Sequence, residues 1–202
     1  MEMVDIERLR SAERRVCAMV DPSELMLCET GKCVVDHVGL LLFSPTLSEG
    51  LTALRDHWYA PTPPVPSVVV KRRISERYGL DPRTIDIWIT HLPVERARTV
   101  EVFLMCGNTS DAVMEAERAE ENEAHWAARV TDHAAFAELL ETLLRDGRFH
   151  YDGSGFNPYE RRSSGGTTLC YLRRGENMRL ELLCPGDRRV EVADLLSALV
   201  GV

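Results

Sequence analysis

The sequence predicts an α+β protein built from a duplicated unit of one strand, one helix and further strands, and three observations carry that prediction. Two apolar segments each bear a histidine, Val35-Asp36-His37-Val38-Gly39-Leu40-Leu41 and Ala124-His125-Trp126-Ala127-Ala128-Arg129-Val130. Each is followed by apolar residues at helical spacing, Leu47, Leu51 and Leu54 in the first half and Phe136, Leu139, Leu140 and Leu143 in the second. Each is answered later by a glutamate in another apolar run, Val100-Glu101-Val102-Phe103-Leu104 and Arg179-Leu180-Glu181-Leu182-Leu183. An unpaired carboxylate in a core is strongly unfavourable, so side chains of this kind need a buried partner, and a metal ion is a common one.

The elements follow in order. Met3 to Val20 carries a loose helical pattern that Asp21-Pro22 should end, an extension outside the repeat that suits packing or a dimer contact. Cys33 to Phe43 reads as a strand, and Ser44-Pro45-Thr46 should start the helix bearing Leu47, Leu51 and Leu54. Ala60-Pro61-Thr62-Pro63-Pro64-Val65-Pro66 reads as a rigid connector. Val68 to Tyr78 fits a strand or a helix. Ile85 to His91 alternates as a half-buried strand, and Thr99 to Cys106 is another.

Gly107-Asn108-Thr109-Ser110-Asp111 caps an acidic helix running through Asn122 that bridges the halves. The second half repeats the order with a strand from Ala124 to Val130, a helix, a glycine-rich loop from Gly147 to Gly166, strands Thr167 to Arg173 and Asn177 to Cys184, and a terminal helix from Val190 to Val200. The expected organisation is an N-terminal helical extension over 1–32, a first module over 33–107, a linker helix over 108–123, a second module over 124–186 and a C-terminal helix over 187–202.

Composition narrows the function. A chain of 202 residues, 45% hydrophobic and 28% charged, is an ordinary globular one, long enough for one core or two small modules. A net charge of −8, with only short and separated basic spots, weighs against a nucleic-acid partner. The six cysteines form no C-x-x-C pair, and Cys33, Cys106, Cys170 and Cys184 sit in or beside apolar runs as small hydrophobes, which fits a reduced, cytoplasmic protein. No apolar run approaches the roughly eighteen residues needed to span a bilayer, so no membrane partner is expected.

The two His-bearing openings and the two Glu-bearing closings resemble the vicinal oxygen chelate superfamily, which includes glyoxalase I, bleomycin-resistance proteins, methylmalonyl-CoA epimerase and type I extradiol dioxygenases. The resemblance covers about Cys33 to Pro185. It implies two βαβββ modules forming a cup-shaped mixed sheet, here with an extra N-terminal helix, and metal ligands on the first and last strands of a module. His37, Glu101, His125 and Glu181 fall on the four ligand positions. Glyoxalase-type isomerases use all four with Zn, Ni, Co or Mn, whereas extradiol dioxygenases use two histidines and one glutamate, here His37, His125 and Glu181, on Fe(II).

Tyr171-Leu172-Arg173-Arg174-Gly175-Glu176-Asn177-Met178-Arg179-Leu180-Glu181 resembles the closing signature of the extradiol dioxygenases, in which a tyrosine hydrogen-bonds the catecholate oxygen. The family's acid/base histidine upstream of that tyrosine is not reproduced, since the chain reads Arg161-Arg162-Ser163-Ser164-Gly165 there. His91 or His150 would then have to act as acid/base, an imidazole being suited to proton transfer near neutrality. His57 and His133 read as inert.

The single module pair resembles the L-DOPA extradiol dioxygenases of antibiotic pathways, so the leading expectation is an Fe(II) enzyme that opens a catechol ring with dioxygen. Arg161, Arg162 or Arg173 would meet a substrate carboxylate, and the segment from Gly153 to Gly166, with Phe156 and Tyr159, would close as a lid. The alternative is a glyoxalase-type isomerase or epimerase with Glu101 as fourth ligand. A further alternative is a metal-free drug-binding protein. A homodimer is compatible with each.

Overall fold

The computed structural model describes residues 5–18, 33–57, 59–94, 99–107, 110–130, 132–147, 149–158, 165–175 and 178–200. Among these, the chain forms α1 (Ile6–Ala18), β1 (Cys33–Ser44), α2 (Leu47–Asp56), β2 (Val65–Pro66), α3 (Val68–Tyr78), β3 (Ile85–Pro93), β4 (Thr99–Gly107), α4 (Asp111–Glu120), β5 (His125–Val130), α5 (His133–Arg145), β6 (His150–Asn157), β7 (Thr167–Arg174), β8 (Met178–Pro185) and α6 (Arg189–Val200). The elements divide into two compact units, one holding α1 and His37–Ala124, the other holding the opening residues of β1 through Asp36 and everything from His125 onward.

In the first unit the strand order is β2-β3-β4-β1, with β4 parallel to β1 and antiparallel to β3. In the second the order is β6-β7-β8-β5, with β8 parallel to β5 and antiparallel to β7, and the opening of β1 lies beyond β5. A strand, a helix and three strands with the closing strand paired to the opening one recur in both units, with α3 inserted between the second and third strands of the first. The α+β class and the duplicated βαβββ order are therefore as the sequence leads one to expect.

Sequence signals explain most boundaries. Thr46 accepts a hydrogen bond from the Glu49 backbone N–H at the start of α2, and Asp132 does the same for Ala135 at the start of α5. The open choice over 68–78 resolves as helix. Ser67 caps its start through the Val70 N–H, Gly79 ends it in a left-handed conformation, and Val70 and Ile74, one turn apart, are buried. The proline-rich connector ends in a strand, since Val65–Pro66 pairs antiparallel with Ile89 and Trp88 at the sheet edge, where proline's missing donor does no harm.

The glycine-rich loop requires a correction. His150–Asn157 is a strand along β7 rather than a loop, and the ring of Phe156 fills the space where a side chain on Gly166 would stand. Gly153 and Gly155 remove the alternation by which a strand is recognised. Tyr159, Arg161 and Arg162 lie outside the described residues.

Period-two alternation divides the faces. In the second unit Ala128, Val130, Cys170, Leu172, Leu180, Leu182 and Cys184 pack with Phe136, Leu140 and Leu143 of α5. Each leucine fully buried in this way stabilises the fold by roughly 1.5–3 kcal/mol. His125, Tyr171, Arg179 and Glu181 occupy the other face. In the first unit Leu41, Phe43, Ile85, Ile87, Phe103 and Met105 share a core with Val70 and Ile74 of α3, and His37, His91 and Glu101 continue the same rows beyond it.

An ion network ties α3 to α4. Arg77 bonds Glu117 and, at 2.8 Å, Glu123, while Tyr78 donates its hydroxyl to Glu117 at 2.7 Å. Both carboxylates are 2% exposed. Cys33, Cys106, Cys170 and Cys184 are buried, and burial pushes the Cys170 thiol up to about 12. Among the described residues no helix is long and apolar enough to cross a membrane.

Candidate metal centre

In the first unit β1 and β4 run in parallel with Gly39 opposite Glu101, so the glutamate lies level with the residue two places after His37. His37 Nε2 is 3.6 Å from Glu101 Oε2, and the imidazole is buried at 5% exposure. On the other side of β4, His91 stands directly across from Glu101, with Nε2 at 3.2 Å from Oε1. The two imidazoles are 6.4 Å apart and nearly perpendicular. One carboxylate thus has an imidazole on each oxygen, one buried and one, His91, with about a third of its side chain open to solvent.

The second unit repeats the construction. Ala127, two places after His125, is opposite Glu181, and His125 Nε2 is 3.3 Å from Glu181 Oε2 with both side chains buried. Tyr171 stands directly across from Glu181 on β7. His91 and Tyr171 are therefore equivalent positions of the two units, each beside the glutamate of its closing strand.

The same face of the second unit carries a cluster that residue patterning marks more weakly. Arg179, two residues before Glu181, is 3% exposed, and its guanidinium lies over the Tyr171 ring at 4.6 Å. Its Nη2 donates to Asp152 Oδ2 at 2.7 Å, and Arg173 Nε donates to the same oxygen at 3.1 Å. The i, i+2 spacing to Glu181 was the available signal for Arg179. Asp152 had none, because it is the extra residue of a β-bulge between Tyr151 and Gly153.

The remaining histidines stand elsewhere. His150 opens the edge strand β6, exposed and opposite Arg173, and is not brought beside Tyr171 or Glu181. His57 and His133 are exposed at the end of α2 and the start of α5.

Each unit offers an imidazole nitrogen and a carboxylate oxygen within 3.6 Å of one another on a parallel strand pair. Neutral imidazole with carboxylate is a donor set suited to Zn, Fe, Co, Ni or Mn, and each unit presents one such buried imidazole, His37 in the first and His125 in the second.

Both units carry a histidine on the opening strand and a glutamate on the closing strand. No family model matches the chain, and no curated protein matches it. Among solved structures it is similar to methylmalonyl-CoA epimerase from Mycobacterium tuberculosis at 18% identity, over 78% of this chain and 91% of that one, with a TM-score of 0.41. It is similar to a Streptomyces coelicolor methylmalonyl-CoA epimerase variant in complex with 2-nitronate-propionyl-CoA at 18% identity, over 76% and 97% of the chains, with a TM-score of 0.39. A glyoxalase family protein from Bacillus cereus matches at 15% identity, over 75% and 93%, with a TM-score of 0.26.

Proposed function

We propose that this protein is a metal-dependent isomerase or epimerase of glyoxalase type, with His37, Glu101, His125 and Glu181 as the protein ligands of one divalent cation, Zn, Ni, Co or Mn. One observation carries the reading. Glu101 stands to His37 as Glu181 stands to His125, with the same strand register and with the carboxylate turned to the imidazole in both units. A four-ligand site would use that relation in both units, whereas a three-ligand iron site would use it only in the second.

The cation would act as a Lewis acid on a carbonyl oxygen of a small substrate that presents two neighbouring oxygens. A glutamate oxygen would take the proton from the carbon beside that carbonyl, and its delivery to the neighbouring carbon would complete an isomerisation, its return on the opposite face an epimerisation. The compartment that suits the chain is the reducing cytoplasm, a reading supported by cysteines that serve as small buried hydrophobes in the cores.

The experiment is elemental analysis of purified protein beside Glu101→Ala and Glu181→Ala. Both variants should lose the metal to a similar degree. Full metal retention in Glu101→Ala would remove that residue and with it the isomerase reading, and a metal-free wild type would leave only a binding role.

The second reading is the Fe(II) extradiol dioxygenase held by His37, His125 and Glu181. Its support is Tyr171, which pairs directly with Glu181 in the β7–β8 register. Anaerobic Fe(II) reconstitution followed by catechols such as L-DOPA and air tests it by oxygen uptake, and a flat oxygen trace across the series rejects it.

A further inference from the structure

We infer that Arg173 and Arg179, gathered by the bulge at Asp152, form an anion subsite that selects substrates carrying a carboxylate beside the metal-chelating group. This inference rests on the metal reading above for its location and extends it to a substrate class.

The bulge is what builds the subsite. In β6, His150 pairs with Arg173 and Tyr151 with Leu172, but the next pairing is Gly153 with Tyr171, so Asp152 is an inserted residue. Gly153 sits at φ 119°, a backbone conformation in which a side chain is strained. The insertion turns the Asp152 carboxylate to the face that bears Tyr171 and Glu181, and there one oxygen receives both Arg179 Nη2 and Arg173 Nε. Bulges recur beside binding sites because they re-aim a side chain in this way.

Charge and position set the ligand. The three side chains sum to one positive charge, and burying the Arg179 guanidinium is tolerated because Asp152 and the Tyr171 ring lie against it. Arg173 and Asp152 keep about a quarter of their side chains open, 25% and 28%, so the cluster reaches solvent on the sheet face that carries Glu181. Two residues along a strand place the arginine row roughly 7 Å from Glu181, a separation that a short carboxylate tail spans. A guanidinium fork recognises a planar carboxylate through paired N–H donors, which a lysine cannot reproduce.

The test uses Co(II)-loaded protein and two chelators that differ only in the tail, acetohydroxamate and the monohydroxamate of succinic acid, read from the visible spectrum of the cobalt. Wild type should bind the carboxylate-tailed chelator about tenfold more tightly, the effect of one charge-assisted contact. Arg173→Gln should erase that preference without weakening acetohydroxamate, and Arg173→Lys should restore only part of it. In parallel, EDTA-treated protein carrying 15N-arginine is titrated with succinate, and the Arg173 and Arg179 Nε–H signals should shift saturably.

Equal affinity for both chelators in wild type overturns the subsite, as does a preference that survives Arg173→Gln. Failure of both chelators to bind, with the succinate shift present, sinks the metal reading and leaves the subsite standing. If the succinate shift is absent as well, the subsite falls too.

Discussion

His125 Nε2 lies 3.3 Å from Glu181 Oε2 on adjacent parallel strands, with both side chains withdrawn from solvent. Parallel pairing fixes this meeting. A shift of one residue in the β5–β8 register would send the glutamate to the opposite face, into the leucines that pack on α5.

Replacing the imidazole tests that relation. His125→Ala should purify with unchanged far-ultraviolet circular dichroism and lose bound metal, read by inductively coupled plasma analysis. A variant holding stoichiometric metal would exclude His125 as a ligand.

His91 lies 3.2 Å from Glu101, and if Glu101 ligates as proposed, a group supporting a ligating carboxylate typically contributes about 10–100-fold to metal affinity. His91→Gln should weaken the metal within that range in a chelator competition, while His150→Gln, exposed on the edge strand, should leave affinity unchanged.

Arg77 holds two carboxylates that are almost fully buried. Removing one partner of a buried ion pair costs about 3–5 kcal/mol. Arg77→Met should lower the urea midpoint accordingly, with the slope of the transition unchanged.

Tyr78 is raised to about 12 by burial and by its hydrogen bond to Glu117. Its folded value lies above the unfolded one of about 10, so its contribution to stability is complete below pH 10. That contribution is lost as the pH rises toward about 12, because the unfolded chain releases the proton first. Tyr78→Phe should flatten this alkaline decline in a series of thermal melts, and no change in slope would show that the phenol does not contribute.

Much of the site was legible because its signal is local. A histidine or glutamate that interrupts an apolar alternation stands out, and His37, Glu101, His125 and Glu181 are all of that kind. The strands bearing them were bounded to within one or two residues, since valines and leucines alternate against proline, glycine or threonine stops. Less was legible where two signals competed. Val68-Val69-Val70 favours a strand by its branching, and only Ser67 and Gly79 as caps, with Val70 and Ile74 on one buried face, decide for a helix. The β6 strand was hidden by its glycines, and Asp152 by the bulge, which breaks the parity that a sequence reading relies on. The equivalence of His91 and Tyr171 was not visible either, because it arises from pairings between strands and the two residue types share no chemistry that would suggest it.

The strand that opens the chain's first repeat also serves the second. Cys33 lies in the core of the later unit, and Asp36 meets Arg129 of β5 at 3.1 Å. A fragment cut to begin at His125 would leave the outer rim of β5 without its hydrogen-bonding neighbour, and such a bare rim invites association with other chains. Splitting this protein into two soluble halves would require carrying that short N-terminal piece along with the second half, or supplying it as a separate peptide.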